Sequence, residues 1–453
     1  MIRILKYSFI VLVLIPTTSI FAQKKWTLEE CITYALQNNI QLKREVLQSE
    51  RFKKERLAAF ANFTPSLGGQ FSHKFQEGSV FNSLTGKFSN KQSQIGSGGI
   101  GGSLNLFQGL YNWNYLAQTK FDLLASIESV EELKRSISIN VAAKYLEVLY
   151  AKENLILAKG RLEVSEKQVV SLEKQYELGK SSNAEYLQIK SQAIAEKVQL
   201  TNAQNTLDMA SLELAQMLEL PEVGGFEVYT DNIIIPTDTL QVELKQYYDD
   251  AILNTPSLKR ANYNLKSAEK RYLIALGAAL PSISLEYQMG SFYTDQGELT
   301  NSSGIVLSKY PDYSYKEQLK DNISKSIAIQ INIPIYGRLQ NYVRISKAKI
   351  DKIDAQYAVD EAEKGLKKTI QQAYADVKGS YSSFQSMSES AASYNEVYET
   401  SKEKFNLGMI NAVDYGIARN NLIKAQGDLL HAKYSYLFKL KILDFYRGVP
   451  ITL

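Results

Sequence analysis

The stretch ALQNNIQLKR at residues 35–44 returns 216 positions later as AILNTPSLKR at residues 251–260. A Pro-Ser pair that begins at Pro65 returns at the same spacing, at Pro281. Similarity at one long, constant spacing indicates an internal repeat, and a repeat determines the architecture before any local structure is considered. The chain therefore consists of two copies of one unit.

The spacing changes once along the second copy. The segment 178–186, with Leu-Gly and then Glu-Tyr, returns 229 positions later at 407–415 with Leu-Gly and then Asp-Tyr. The increase from 216 to 229 places 13 additional residues between Pro281 and Gly337. The two copies are therefore collinear except for one longer segment, which we predict to be a hairpin loop at about residues 296–321.

The N-terminus has the composition of a secretory signal peptide. Arg3 and Lys6 form a basic start, and an apolar run from Phe9 to Ile15 follows. This run is too short for a transmembrane helix and is typical of a Sec signal, for which we predict cleavage after Ala22. Cleavage would remove two of the 52 basic residues and leave 50 against 48 acidic ones, a net charge of +2. We therefore expect no nucleic-acid partner.

Few residues are available for a catalytic or metal site. Cys31 is the single cysteine, so it cannot form an internal disulfide, and it lies in a helical pattern, where a free cysteine is usually a small buried side chain. His73 and His431 are the only histidines. No nucleophile, metal-ligand cluster or pair of acids forms a recognisable active site. We predict that the protein is not an enzyme and requires no cofactor or metal.

Four segments alternate apolar and polar residues with a period of two, which is typical of strands with two different faces. They are predicted at about residues 65–83, 94–107, 281–295 and 322–336. In the last segment, isoleucine occupies most odd positions. The apolar residues that we predict to face lipid are Phe71, Phe75, Leu104, Ile283, Leu285, Tyr287, Ile327, Ile329, Ile331 and Ile333.

A soluble sheet with one face packed on a core shows the same alternation, so each segment alone leaves that alternative open. Three features favour a membrane. The segments reach the roughly ten residues that a tilted transmembrane strand needs. The loops at about 83–94 and 296–321 are polar, and aromatic residues lie near the strand ends, namely Phe81, Phe88, Phe292 and Tyr293.

Four strands cannot close a barrel, and open strand edges are costly in hydrocarbon because their backbone groups find no partners. The chain must therefore oligomerise. Two, three or four copies would each give a closed barrel, and the strand pattern alone does not choose among them.

Long helical segments follow each pair of strands. Residues 109–178 and 338–407 contain no proline, and each would be on the order of 100 Å long at about 1.5 Å per residue. Return helices are predicted at about 183–218 and 411–446. Apolar residues at three-and-four spacing lie between lysines and glutamates, as in coiled coils, for example Val141, Tyr145, Val148 and Leu149. A purely structural coiled coil is the alternative, but the connection to membrane strands favours a hollow helical cylinder.

The helix pairs turn at two similar tips. Gly179 and Gly408 suit the left-handed residue that ends a helix, and Glu185 and Asp414 would lie in the first turn of the returning helix, where a carboxylate is favoured. Helix capping alone explains these residues. The functional alternative is that the tips close a pore and dock partners. The predicted contact residues are Lys180, Glu185, Tyr186, Met409, Asp414 and Tyr415, with Asp414 as the candidate gate.

These features together resemble the TolC-like outer membrane efflux proteins. The similarity rests on the signal peptide, the tandem repeats, the Leu-Gly tips, the strand starts at Pro65 and Pro281, and the strand exits at Gly109 and Gly337. The resemblance implies an α+β membrane protein that forms a homotrimer. Its twelve-stranded β-barrel in the outer membrane would continue as a twelve-helix α-barrel in the periplasm, with the hairpin loops outside the cell.

The resemblance also implies a domain organisation. The signal peptide at 1–22 would be followed by repeat 1 at 23–225 and repeat 2 at 226–453. Residues 226–253 would contribute to an equatorial belt, which includes a helix predicted from Thr239 to Leu253.

The implied function is a passive exit duct of a tripartite efflux or type I secretion system, surrounded by outer membrane lipids. An inner-membrane pump of the RND, ABC or MFS type would hand over small molecules or proteins through a periplasmic adaptor (membrane fusion protein). Two alternatives of another class are a structural or adhesive trimeric coiled-coil surface protein and a periplasmic adaptor without channel activity. The sequence does not indicate the cargo.

Overall fold

The computed structural model describes residues 25–82, 87–221, 226–229, 235–236, 243–295, 298–300, 303 and 305–453. Side chains are described for these residues except 80–82, 87–91 and 298–300. The predicted signal peptide and the predicted helix start at Thr239 lie outside this part of the chain, as do the side chains of Phe81 and Phe88.

The chain forms two compact units, each assembled from separate segments. The first contains the residues up to Ile40, Lys134–Asp250 and Ile370–Leu453, and the second contains Gln41–Leu133 and Ala251–Thr369. The elements in chain order are β1 (Lys25–Trp26), α1 (Leu28–Asn38), α2 (Ile40–Ala61), β2 (Ser66–Asn82), β3 (Lys87–Gln108), α3 (Tyr111–Glu177), α4 (Asn183–Met217), β4 (Glu227–Val228), α5 (Leu244–Asn254), α6 (Pro256–Gly277), β5 (Ser282–Thr294), β6 (Glu298–Thr300), β7 (Val306–Lys309), α7 (Tyr315–Asp321), β8 (Ser324–Asn332), α8 (Gln340–Asn406) and α9 (Ala412–Tyr446).

Both halves of the chain contain helices of the same four lengths in the same order. The lengths are 11 residues in α1 and α5, 22 in α2 and α6, 67 in α3 and α8, and 35 in α4 and α9. The first two pairs begin 216 residues apart, and the last two begin 229 apart. These are the two spacings found in the sequence.

Left-handed backbone conformations follow the second of these spacings. Gly179 and Gly408 have φ angles of 71° and 72°, and Leu110 and Leu339 both have 62°. At the same spacing, the residue equivalent to Gly109 (φ 56°) is Arg338, which is also left-handed (φ 49°). Gly337, the glycine of the second predicted strand exit, lies one residue before Arg338, so glycine is not retained at the equivalent turn position.

The core of the first unit lies along α3. Val141, Tyr145, Val148 and Leu149 are all buried. The Tyr145 hydroxyl lies 2.8 Å from the Tyr229 carbonyl oxygen and 3.1 Å from that of Trp26. It therefore braces the site where β1 and β4 pair in parallel. Burial raises the pKa of Tyr145, which keeps the hydroxyl protonated as a donor.

The second unit contains an antiparallel four-stranded sheet in the order β2-β3-β5-β8. Each hairpin therefore contributes two adjacent strands, and β3 pairs with β5 to join the hairpins. The strands β2 and β8 lie at the two edges. The last strand is shorter than predicted and ends at Asn332, because Pro334 has no N–H for a further ladder hydrogen bond. Ile333 consequently lies just beyond the strand.

The segment predicted as a loop at 296–321 contains secondary structure where it is described. Strands β6 and β7 form a short antiparallel pair, and α7 begins at a capping box between Ser314 and Glu317. The buried Gln318 amide accepts a 2.9 Å hydrogen bond from Thr294 N and donates a 3.0 Å bond to Thr294 O. Gln318 thereby takes the place of a strand neighbour for β5 beyond Gly290, which pairs with Ser324 at the start of β8. The additional length is therefore partly folded.

Candidate functional site

The first candidate site is the apolar face of the four-stranded sheet. Residues directly opposite in neighbouring strands point to the same face. Leu285 lies opposite Leu104 in β3 and Ile329 in β8, and Tyr287 lies opposite Ile327. By this register, nine of the ten predicted lipid-facing residues share one face, namely Phe71, Phe75, Leu104, Ile283, Leu285, Tyr287, Ile327, Ile329 and Ile331.

This apolar face is not covered by a core of the described chain. Phe71 is 72% exposed and Ile327 is 74% exposed, and Phe75, Ile329 and Ile331 are similarly open. A contiguous exposed apolar surface on a folded protein indicates a protein or membrane interface. A soluble sheet packed on its own core, which the sequence left open, would have buried these residues.

The opposite face of the sheet is polar and concave. Ser66 lies opposite Ser103, which lies opposite Glu286, and the Ser72 and Ser97 hydroxyls are 2.8 Å apart. A cavity of about 880 Å³ follows this face. Its lining consists mostly of glycine, serine and polar side chains, including Gly68, Gln70, Gly101, Glu286, Gln288 and Ser326. Small and polar residues leave room for water along the whole face.

The aromatic residues near the strand ends divide between the two faces. Tyr293 lies on the apolar face, where its hydroxyl is 2.9 Å from His73 Nδ1 and its ring packs against Tyr315. Phe292, the residue before it, lies opposite Ser97 and lines the polar cavity. Phe292 and Tyr293 therefore do not share a face, because consecutive strand residues point to opposite faces.

The second candidate site consists of the two helix tips. At the first tip, Glu185 and Ser182 form a capping box. Glu185 Oε2 accepts a 3.0 Å hydrogen bond from Ser182 N, and Ser182 Oγ accepts one of 3.2 Å from Glu185 N. The hydrogen bonds from the Ser182 backbone and from the Ser181 hydroxyl lower the pKa of Glu185. Glu185 is therefore engaged by its own helix.

The second tip is capped differently. Asn411 Oδ1 accepts hydrogen bonds of 2.9 Å from both Val413 N and Asp414 N. The Asp414 carboxylate is exposed, and within the described residues no hydrogen bond or ion pair involves its oxygens. Because Asn411 supplies the cap, the charge of Asp414 is available to a partner outside this chain.

The two tip tyrosines lie in different environments. Tyr415 is fully buried, where it stacks on Phe405 and its hydroxyl contacts Gln168 and Tyr398. The prediction that Tyr415 contacts a partner is therefore wrong, because its side chain belongs to the core of the helix hairpins. Tyr186 is half-buried and donates a 3.0 Å hydrogen bond to Glu173. Lys180 and Met409 are exposed, as a contact surface requires.

A buried ionic cluster was not predicted from the sequence. Arg419 of α9 is 3% exposed and lies 3.2 Å from Glu196 Oε1 of α4, close to Arg161 of α3. A signal was available in the sequence, since Arg419 interrupts the apolar stripe between Tyr415 and Leu422 at helical spacing. Its partners come from distant parts of the chain and could not be identified in this way.

None of the helices in the described part of the chain has a stretch that is both long and apolar enough to span a bilayer. Among the same residues, no group of three or more His, Cys, Asp or Glu side chains could hold a metal ion.

The sequence model of the outer membrane efflux protein family matches residues 31–219 and 247–448. The chain belongs to this family. It is 22% identical over 352 residues to the outer membrane protein TolC of Salmonella enteritidis, which covers 76% of this chain and 68% of that protein. It is 21% identical over 345 residues to the outer membrane efflux protein BepC of Brucella suis biovar 1, and this match covers 75% of this chain and 69% of that protein.

The fold of this efflux protein is similar to that of the crystal structure of the Campylobacter jejuni CmeC outer membrane channel. The TM-score is 0.74 at 19% identity, over 93% of this chain and 85% of that chain. The resemblance to TolC-like proteins and the outer membrane localisation are thereby confirmed, and the family supports an efflux exit duct. The alternatives of an adhesive surface protein and a periplasmic adaptor receive no support.

Proposed function

We propose that three copies of this efflux protein assemble into one continuous duct. Each copy would contribute four strands to a twelve-stranded barrel and four long helices, α3, α4, α8 and α9, to a twelve-helix tunnel. The observation that carries the proposal is the open, two-faced sheet, in which β2 and β8 each pair on one side only within the described part of the chain. An apolar outer face suits lipid, a polar concave face suits a water-filled pore, and unpaired edges in a bilayer require neighbouring copies.

In this assembly the ten residues predicted above to face lipid, which include Phe71 and Ile333, would contact the membrane. The opposite face, which includes Gln70, Glu286 and Gln288, would line the pore. The equal helix lengths in the two halves support a division into repeat 1 at 23–225 and repeat 2 at 226–453. Two equivalent repeats per copy would place similar strand hairpins and helix pairs at regular positions around the axis.

The helix tips are the proposed site of gating and of adaptor contact. Lys180, Tyr186 and Met409 would contact a periplasmic adaptor, and Glu185 would act mainly by capping α4. Three Asp414 carboxylates would approach one another around the axis and restrict the closed end, so Asp414 is the proposed gate. Sliding of packed helices past one another is a common way to open such a structure.

The duct would be passive. An inner-membrane pump would supply energy and select the cargo, and an adaptor would connect it to the tips. The cargo would then pass through a wide polar path without a dedicated binding site, which requires no cofactor.

The proposal is tested by extracting the mature protein from outer membranes and comparing boiled with unboiled samples on a denaturing gel. We expect a heat-modifiable trimer that forms ion-conducting pores in planar bilayers. A protein that fractionates as a periplasmic monomer, or a trimer without conductance, would refute the duct.

A further inference from the structure

The buried ionic cluster joins three helices of the first unit. Arg419 Nη2 of α9 lies 3.2 Å from Glu196 Oε1 of α4 in an ion pair, and it donates hydrogen bonds to the Ser165 hydroxyl of α3 and, at 3.3 Å, to the Arg161 carbonyl oxygen. Arg419, Glu196 and Ser165 are each more than nine-tenths buried. The pair formed by Arg419 and Glu196 is therefore a buried salt bridge, shielded from solvent by its own surroundings.

A second guanidinium belongs to the same cluster. Arg161 is half-buried, and its Nη2 donates to the Ile423 carbonyl oxygen at 3.1 Å and to Gln426 Oε1 at 3.5 Å. Both of these acceptors are uncharged. Burial lowers the pKa of Arg161, the Glu196 carboxylate opposes that shift, and the nearby Arg419 adds to it. The Glu196 carboxylate near Arg161 is already paired with Arg419, so one negative charge faces two positive charges.

Two nitrogen atoms of the cluster have no acceptor in the described part of the chain. These are Nε of Arg161 and Nη1 of Arg419. A guanidinium carries five N–H donors and cannot lose its charge under ordinary conditions. Buried donors almost always find a partner, and a buried charge without compensation is strongly disfavoured. The cluster contains two cations, one anion and unused donors on both cations.

We propose that this cluster binds one small monovalent inorganic anion, of the size and charge of chloride, through Arg161 Nε and Arg419 Nη1. The anion would balance the second guanidinium and complete the hydrogen bonding of both. It would also add an ionic link between α9 and α3, which Arg419 otherwise joins through hydrogen bonds to Ser165 and to the Arg161 carbonyl oxygen. Such a site goes beyond the exit-duct function and does not depend on it, because every residue involved lies within one unit of one chain.

The substitution that separates this proposal from a purely structural role is Arg161→Gln. It removes the uncompensated charge and leaves the Arg419–Glu196 pair intact, so the variant is expected to fold. A glutamine at this position can still donate to Gln426. Arg447→Gln is the matched control, since it removes one guanidinium from the same unit at the pair that Arg447 forms with Asp250 at 3.0 Å.

The experiment uses the full-length protein in detergent and measures melting in sodium bromide and in sodium gluconate at equal ionic strength. We expect a saturable rise in the melting temperature of the native protein with bromide, because a ligand that binds only the folded state stabilises it. Arg447→Gln should keep this dependence. Arg161→Gln should lose it and should melt in gluconate at least as high as the native protein.

Crystals grown in bromide give an independent readout that does not require the variant to fold. We expect an anomalous peak within hydrogen-bonding distance of Arg161 Nε and Arg419 Nη1. Identical melting in bromide and gluconate, or an equal bromide effect in Arg161→Gln, would overturn the proposal. So would a carboxylate from a second copy at the position of the expected peak.

Discussion

Glu185 and Asp414 occupy equivalent positions 229 residues apart, yet only Glu185 is hydrogen-bonded to the N-terminus of its own helix. At the second tip, Asn411 performs this task and leaves the Asp414 carboxylate exposed. The two tips therefore have the same shape and different chemistry. One carboxylate stabilises the turn, and the other is exposed to solvent.

Asp414→Ala should raise single-channel conductance in planar bilayers, because it removes three negative charges that would approach one another at the closed end. Glu185→Ala is the matched control and should leave conductance near that of the native protein. If Asp414→Ala conducts like the native protein, Asp414 is not part of the gate.

Ser182→Ala should destabilise the first tip by about 1 kcal/mol, the usual cost of losing an N-cap side chain. Amide hydrogen exchange should become faster at residues 183–186 and remain unchanged at residues 412–415. Asn411→Ala should give the reverse pattern, since the two caps are independent. A loss of protection at both tips from either single change would contradict this independence.

The stability of the first tip should depend on pH through Glu185. Its pKa is lowered in the folded state, so its stabilisation is present above the ordinary pKa of a glutamate and is lost as the pH falls through the lowered value. Protection of the tip amides should therefore decrease on acidification in the native protein. In Glu185→Gln, the same acidification should change protection much less, and an unchanged pH dependence would exclude Glu185 as its source.

Asp444 should destabilise the first unit at neutral pH. Burial raises its pKa, although the nearby Arg447 and Lys441 act in the opposite direction. A raised pKa means that the protonated carboxyl carries no penalty below the ordinary aspartate pKa, and that folding stability is lost as the pH rises through the folded-state value. Asp444→Asn should therefore melt at a higher temperature than the native protein at pH 7. Near pH 3 the two proteins should melt at similar temperatures. A lower melting temperature at pH 7 would contradict this account.

Gln318→Ala should loosen the folded part of the long hairpin loop. The change removes the hydrogen bonds of the side-chain amide with Thr294 N, Thr294 O and Tyr313 O, and it leaves space beneath α7. Losing a buried hydrogen-bonding group costs roughly 1–3 kcal/mol. Limited proteolysis from outside the cell should cut within residues 303–321 faster than in Gln330→Ala, an exposed control on β8. Equal cleavage rates would show that Gln318 does not hold this segment.

The long helices and most of each strand could be predicted from the sequence because their signals are local, although β3 begins at Lys87, within the segment predicted as a loop at about 83–94. The 67-residue helices α3 and α8 contain no proline and keep helical spacing throughout, and the sheet strands alternate with a period of two. The end of β8 departs from the prediction only because the apolar alternation continues past Pro334. Where a pattern and a backbone constraint disagree, the constraint determines the structure.

Features that depend on distant contacts could not be predicted. The sequence around Tyr186 and Tyr415 is alike, but Tyr415 is enclosed by Phe405 and Tyr398, whereas Tyr186 remains partly open beside Tyr176. The same holds for α7, which is held by Gln318 against a strand 24 residues earlier. The two repeats contain the same helices and strands, but the side chains that surround equivalent residues differ, and these decide which of the residues is buried.

The most direct test of the central proposal is native mass spectrometry of the mature protein extracted from the outer membrane. Three copies that close one duct predict a single species with three times the mass of the chain that begins after Ala22. A species containing one copy, or a number of copies that is not three, would contradict the proposed assembly.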